Sequence, residues 1–354
     1  MLYNTDDLRI TGMQEVLPPT QLHQQLPITD NASETVFNAR SATQNILHGK
    51  DDRLVVIIGP CSINDPDAAR EYAGLLKPVI DELKDDLHII MRVYFEKPRS
   101  TVGWKGLIND PYLDGSFKIN DGLHLARKLL LDLAEMSVPA ASEYLDLVSP
   151  QYIADLISWG AIGARTTESQ AHRELASGLS CPVGFKNATD GGLQIAVDAC
   201  LSASNPHHFM SMTKEGHSAI FSTTGNPDCH VILRGGKVPN YDATSINQTA
   251  EIIGRTGLKA RFMVDCSHAN SGKSHIQQEV VCRDVANQIT NGEDRIMGLM
   301  LESNLVAGRQ NVEKDKALVY GQSITDACMA WSNSEILLRE LAVAVRARRY
   351  ENLP

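Results

Sequence analysis

The sequence predicts an α/β fold: a (β/α)8 TIM barrel with an N-terminal arm and a β-hairpin inserted before barrel strand 6. Three observations predict it. From Leu54 onward, short apolar, β-branched runs alternate eight times with helical patterns, as a parallel sheet covered by helices requires. None of these units opens on a Gly-rich dinucleotide turn or a phosphate-binding P-loop, which weighs against an open doubly wound sheet. With 354 residues and 43% hydrophobic content, the chain has enough material for eight such units.

Residues 1–50 are polar and interrupted by prolines, with an amphipathic helix expected from Asn31 to His48; they read as an arm ahead of a barrel at 51–354. The first strand is LVVIIG (54–59). Asp65 and Pro66 follow as N-cap and first helical residue, and Tyr72, Leu75, Leu76, Val79, Ile80 and Leu83 then share one helical face. The unit recurs as LHIIMRV (87–93) with a helix at 121–136, PAASEY (139–144) with a helix starting at Ser149-Pro150, and GAIGAR (160–165) with ESQAHRELASG. The remaining strands are CPVGFK (181–186), HVILRG (230–235), FMVDCSH (262–268) and IMGLMLES (296–303). From Lys186 to Arg234 is 48 residues, against 21 from Arg165 to Lys186. The excess contains HHFMSM and HSAIFS around KEG, hence a hairpin insertion at about 205–228.

A balance of 43 acidic against 33 basic residues, net −10, argues against a nucleic acid or an anionic membrane as partner. The start MLYNTDDLRI lacks a signal-peptide pattern and no run reaches the apolar length of a membrane span, so the expected location is cytoplasmic. Seven cysteines without a C-x-x-C pair suit reduced thiols. Against the acidic background, MRVYFEKPRSTVGWKGL (91–107) sets Arg92, Lys97, Arg99 and Lys105 against a single acid, Glu96.

Active sites of such barrels lie at the C-terminal ends of the strands. Those ends carry Cys61, Arg92 with Lys97, Glu143, Arg165, Lys186, Arg234, His268 and Glu302. For any one of them the plainer reading is a surface charge at a loop start, or core in the case of Cys61. Arg92, Lys97, Arg99, Arg165, Lys186 and Arg234 are more cations than one phosphate occupies, which points to two anionic substrates. Cys61, His268, Glu302 and a further acid after the last strand, for which Asp326 is best placed, form a donor set of intermediate softness. It suits one divalent metal ion, Mn²⁺, Fe²⁺, Co²⁺ or Zn²⁺. For Lys186 and Lys97 the alternatives are salt bridges to Glu143 or Glu96, or Schiff-base chemistry.

GPCSIND, RVYFEKPRS with TVGWKGLINDP, SWGAIGARTTESQ, CPVGFKN, HVILRGGK, DCSHAN and YGQSITDAC together resemble the type I 3-deoxy-D-arabino-heptulosonate 7-phosphate (DAHP) synthases, over residues 6 to 347. The resemblance implies a metal-dependent condensation of phosphoenolpyruvate with erythrose 4-phosphate and water, the first step of the shikimate pathway. It implies Cys61, His268, Glu302 and Asp326 as metal ligands, with Asp326 also near substrate, and Arg92, Glu143, Ala164, Arg165, Lys186 and Arg234 around phosphoenolpyruvate. Lys97, Arg99 and Ser100 would hold the sugar phosphate; Lys97, Lys186, Glu143, Cys61 and His268 would carry the chemistry. Asn64, Ser100, Tyr112 and Ala188 depart from the usual pattern, and Ala188 would be strained if its position needs φ > 0.

Many members are feedback-inhibited tetramers in which the N-terminal arm of one subunit helps cover an effector pocket on its neighbour, so a homodimer or homotetramer is expected here. Asp6, Asp7 and Ile10 match the effector-contacting arm, and Leu147, Pro150, Gln151, Leu175, Leu179, Ser180, Phe209, Ser211 and Phe221 match the effector pocket. Ser211 and Pro150 favour phenylalanine as inhibitor. The competing readings are a synthase using arabinose 5-phosphate, a catalytically silent effector-binding paralogue, and a Schiff-base aldolase acting through Lys186.

Overall fold

Strand β1 (Leu54–Gly59) is buried at all six positions, because each of its faces meets a different core. Val55 and Ile57 belong to an interior cluster with Ile90, Ala141, Trp159, Ala161, Ile232, Met263 and Met300. Leu54, Val56 and Ile58 belong to a second, larger cluster shared with the helices. A strand apolar on both faces is what a helix-covered parallel barrel demands.

The computed structural model describes residues 3–99, 101–313 and 316–351. The strands after β1 are β2 (Leu87–Arg92), β3 (Ala140–Glu143), β4 (Trp159–Ile162), β5 (Val183–Lys186), β6 (His208–Met212), β7 (Ser218–Ser222), β8 (Cys229–Leu233), β9 (Phe262–Asp265) and β10 (Ile296–Asn304), then the short β11 (Val306–Arg309), β12 (Gln322–Ser323) and β13 (Met329–Ala330). Strands β1 to β5 and β8 to β10 are parallel neighbours in chain order, and β10 pairs with β1 to close the barrel. β6 and β7 form the antiparallel hairpin, with Phe209 opposite Phe221 and Met210 opposite Ile220.

The helices are α1 (Pro19–Gln25), α2 (Asp30–Leu47), α3 (Pro66–Leu83), α4 (Ile119–Glu135), α5 (Pro150–Ile153), α6 (Gln170–Gly178), α7 (Gln194–Ala203), α8 (Ala243–Gly254), α9 (His275–Thr290) and α10 (Trp331–Glu351). Asp65 caps α3, accepting from the backbone N–H groups of Asp67 and Ala68, with Pro66 in the first turn. Thr29 caps α2 in the same way. The end of α2 brings Ile46 and Leu47 into the barrel-interior cluster, so a helix expected as part of the arm packs into the core. None of the helices among the described residues is long and apolar enough to cross a membrane.

The expected strands overran at their C-terminal ends. GAIGAR leaves the sheet after Ile162, where the Gly163 carbonyl accepts from the N–H of both Thr166 and Thr167 and turns the chain. FMVDCSH ends at Asp265, and His268 lies beyond it with φ of 54°. Ala188 is not among the residues with positive φ, so the anticipated strain there does not exist. Among the described residues all seven cysteines are free thiols.

The loop after β2 is folded back on itself, Lys97 N–H donating to the Lys105 carbonyl at 2.9 Å. Gly106 makes this possible, since at its φ of 122° a Cβ would lie 2.0 Å from the Phe95 carbonyl oxygen. Gly106→Ala is expected to cost about 1–3 kcal/mol, seen as a lowered denaturation midpoint, and to reduce turnover through displacement of Lys97.

Candidate active site

In most of the barrel strands the inward row is apolar low in the barrel and ionisable at the top. Side chains two residues apart share a face, so Ile90 leads to Arg92, Ala141 to Glu143, Ile232 to Arg234, Met263 to Asp265 and Met300 to Glu302. Gly184, whose added Cβ would strike Ile232 and Trp159 of the interior, leads in the same way to Lys186. Gly163 ends the β4 row without a side chain, and a Cβ there would lie 2.2 Å from Glu143 Oε1; the glycine leaves room for the carboxylate.

The top layer is largely paired with itself. Arg92, only 1% exposed, donates to Glu302 Oε1 at 3.0 Å, to the carbonyls of Pro60 and Cys61 at 3.1 Å, and to Met300 Sδ. Its guanidinium also lies 3.5 Å above the centre of the Tyr94 ring. Lys186 Nζ donates to Asp265 Oδ2 at 2.8 Å. Neither bridge anticipated for the lysines is formed: Lys186 meets Asp265 instead of Glu143, and Lys97 Nζ donates to Cys61 Sγ at 3.0 Å instead of to Glu96.

Above this layer lies a cleft of about 380 Å³ lined by Lys97, Arg99, Glu143, Ala164, Arg165, Lys186, Arg234, His268 and Asp326, all anticipated, and by Thr189, Thr325 and Lys273, which were not. Arg165 and Arg99 are exposed on it, tethered by single bonds to the carbonyls of Pro98 and Trp104. Arg234 reaches in with its Nε buried and unpartnered. Arg92 does not line the cleft; it sits beneath with its donors engaged by protein. Ser100 lies outside the described residues.

Cys61 Sγ and carboxylate oxygens of Glu302 and Asp326 all lie within 4.8 Å of one another. His268 stands beside this group rather than within it, its Nε2 3.9 Å from Glu302 Oε1 and its Nδ1 2.9 Å from Asp265 Oδ2. A soft thiol and two carboxylates with an imidazole adjacent fit a divalent transition ion. Burial pushes the Cys61 thiol up, as does the Glu302 carboxylate, while Lys97 and Arg92 pull it down. Burial opposes ionisation of Glu302 and Asp326, yet His268, Arg92 and Lys97 around Glu302, and Lys97, His268 and Lys273 around Asp326, hold both below the usual carboxylate range. Lys97 is raised despite burial by Cys61 and Glu302.

Asp265 and Lys273 were missed by sequence reasoning. Asp265 is fully buried, and the alternation from Met263 was the available signal. Lys273, with Nζ 3.5 Å from Asp326 Oδ1, lies in a turn that no periodicity marks.

A second cavity of about 870 Å³ is lined by Pro150, Gln151, Leu175, Leu179 and Ser180 on one side and by Phe209, Ser211 and Phe221 of the hairpin on the other. Arg40, Asp155 and Lys214 add charge to its wall. Leu147 is not on its lining, and Asp6, Asp7 and Ile10 are exposed on the arm away from it.

A parallel barrel whose mouth sets cations beside a thiol–carboxylate group able to hold a metal ion is the architecture of an α/β-barrel enzyme. Residues 27–339 match the profile of the DAHP synthetase I family. The Phe-sensitive phospho-2-dehydro-3-deoxyheptonate aldolase of Escherichia coli K12 is 60% identical over 349 residues, 99% of this chain and 100% of its own. The phospho-2-dehydro-3-deoxyheptonate aldolase of Haemophilus influenzae is 59% identical over 345 residues, 97% and 95% of the two chains. The solved phospho-2-dehydro-3-deoxyheptonate aldolase of Francisella tularensis SCHU S4 superposes with a TM-score of 0.94 at 52% identity, covering 96% of this chain and 99% of its own. The chain belongs to the DAHP synthetase I family.

Glu96 is 4% exposed and accepts from the Ser149 hydroxyl at 3.0 Å. Burial, then the nearby Asp146, push its carboxyl up from 4.5 to about 7, against the pull of Ser149. The folded protein therefore holds a proton that the unfolded chain releases between these values. Stability contributed at this position is full below pH 4.5 and lost as pH rises to about 7, by roughly 3 kcal/mol in all. Denaturant unfolding at pH 5 and pH 8 should show Glu96→Gln losing less stability than the wild type over that interval by about this amount.

Proposed function

We propose that the cleft over the barrel carries out DAHP synthase chemistry with the residues in the following roles. The observation that carries the reading is that Lys97, Arg99, Arg165, Lys186 and Arg234 line one cleft together with Asp326, which groups with the buried Cys61 and Glu302. Arg165, Lys186 and Arg234 bind the phosphate and carboxylate of phosphoenolpyruvate, and Arg234's unpartnered Nε has a donor ready for an anion. Arg99 takes the phosphate of erythrose 4-phosphate. Cys61, His268, Glu302 and Asp326 hold one divalent ion, of Mn²⁺, Fe²⁺, Co²⁺ or Zn²⁺; when bound it supplies Lewis acidity toward the aldehyde oxygen.

C3 of phosphoenolpyruvate forms the new bond to the aldehyde carbon, whose oxygen takes up a proton from Lys97, the buried ammonium held beside Cys61. Water, positioned by Glu143 or Lys186, adds to C2 and gives up a proton. The C2–O bond to phosphate then breaks as the C2 hydroxyl gives its proton to the departing phosphate, releasing inorganic phosphate and leaving the ketone of DAHP. With its Nζ engaged by Asp265, Lys186 is suited to charge binding rather than to Schiff-base attack. Arg92 supports Glu302 and Cys61 from below.

The larger cavity takes phenylalanine as inhibitor, its ring between Phe209, Phe221 and Leu175. The relative named Phe-sensitive and the apolar size of the cavity support this. Met210 and Ile220 on the hairpin's other face, 87% and 78% exposed, together with Leu8, Ile10 and Met13 of the arm, also exposed, support a homodimer or homotetramer in which a neighbour's arm, with Asp6 and Asp7, approaches the cavity. Phosphorylated substrates and free thiols accord with a cytoplasmic location.

Protein stripped by chelator should consume phosphoenolpyruvate, followed by loss of its absorbance, only when Mn²⁺ and erythrose 4-phosphate are both added; full activity without metal, or with arabinose 5-phosphate in its place, would overturn the reading. Ser211→Phe, which fills the cavity, should raise the phenylalanine concentration for half inhibition by at least about tenfold, a loss of roughly 1.4 kcal/mol of binding, measured in the same assay.

A further inference from the structure

Asp265 is the most heavily coordinated carboxylate at the barrel mouth. It is wholly buried and ends β9, from which its two oxygens face different parts of the site. Oδ1 accepts from the backbone N–H of Ser267 at 2.9 Å and from the Ser267 hydroxyl at 2.5 Å. Oδ2 accepts from Lys186 Nζ at 2.8 Å and faces His268 Nδ1 at 2.9 Å. His268 Nδ1 is also 2.7 Å from Ser267 Oγ.

These contacts determine where the imidazole proton lies. An ionised carboxylate only accepts, and a serine hydroxyl has one proton to donate. That proton is engaged by Asp265 Oδ1, so Ser267 Oγ can only accept from His268. Nδ1 thus confronts two acceptors, and the proton belongs on it. Nε2, 3.9 Å from Glu302 Oε1, is left to present a lone pair toward the Cys61, Glu302 and Asp326 group. The backbone is shaped for this contact: His268 has φ of 54°, and Asn270 Nδ2 ties the turn by donating to the Asp265 and Leu233 carbonyls.

We infer that Asp265 is a positioning residue serving both halves of the site: it fixes His268 with its proton on Nδ1 and Nε2 turned to the metal, and it holds the Lys186 ammonium on the substrate side. The inference rests on the metal and substrate roles assigned above. Carboxylate partners of metal-bound imidazoles raise ligand basicity and fix ring orientation, and their loss typically weakens metal binding about 10–100-fold. An asparagine in this position offers one oxygen where three side chains seek an acceptor, and its amide N–H favours the opposite imidazole tautomer.

The experiment is Mn²⁺ binding to metal-stripped protein, read by the EPR signal of the free ion, for the wild type, Asp265→Asn, His268→Ala and the double variant. Asp265→Asn is expected to bind Mn²⁺ on the order of 10–100-fold more weakly, and to have no further effect once His268 is alanine. Phosphoenolpyruvate binding to metal-free Asp265→Asn should also weaken, through the released Lys186. Unchanged Mn²⁺ affinity in Asp265→Asn, or an equal loss in the His268→Ala background, overturns the inference alone. A wild type that binds no Mn²⁺ overturns the metal reading and the inference with it. Should Asp265→Asn fail to fold because Lys186 is left as a buried unpaired cation, the comparison moves to Lys186→Met with and without Asp265→Asn. There the same loss of Mn²⁺ affinity is expected, and its absence overturns the inference.

Discussion

In a closed parallel barrel every second residue of each strand faces inward, and the rest of this structure depends on that period. Ile90, Ala141, Ile232, Met263 and Met300 fill the interior, and the next inward positions bring Arg92, Glu143, Arg234, Asp265 and Glu302 to the mouth. A shift of one residue in any strand would turn a charge into the helix layer and an apolar side chain into the cleft. The register therefore sets the chemistry, and the paired hydrogen bonds from β1 to β10 and back to β1 set the register.

So many buried charges are tolerated because they occur in opposite pairs. Arg92 with Glu302 and Lys186 with Asp265 are nearly inaccessible to water, and each would be costly alone. Replacing one partner of such a pair commonly destabilises by about 3–5 kcal/mol, although the intact pair contributes little net stability. Of the cations on the cleft wall, Lys186 and Lys273 face carboxylates, whereas Lys97, Arg99, Arg165 and Arg234 have no carboxylate partner among the described residues.

Much of this was legible in the sequence. Continuous β-branched runs marked the strands, and the 48-residue gap before Arg234 marked the hairpin, because period and spacing are local properties. Two features were not legible. The pairing of Arg92 with Glu302 joins strands more than two hundred residues apart, so nothing local marked Arg92 as half of a buried pair. Asp265 lay within the recognised DCSH segment and was passed over, because the alternation inward from Met263 acquires meaning only once Met263 is known to face the barrel interior. The arm residues Asp6, Asp7 and Ile10, expected at the effector pocket, do not line the larger cavity.

The cleft and the larger cavity are built from a shared segment. Ser149 stands at the N-cap of α5 but makes no capping bond, because its hydroxyl donates to Glu96 instead. Pro150 at the first helical position has no N–H to satisfy, which makes the missing cap cheap. Asp146 braces the turn by accepting from the N–H groups of Val148 and Ser149. The next residues, Pro150 and Gln151, line the cavity, while Glu96 immediately precedes Lys97 of the cleft. Hydrogen bonds to Glu96 from the Ser149 hydroxyl at 3.0 Å and from the Asp146 N–H at 3.5 Å thus join the wall of one site to the loop of the other.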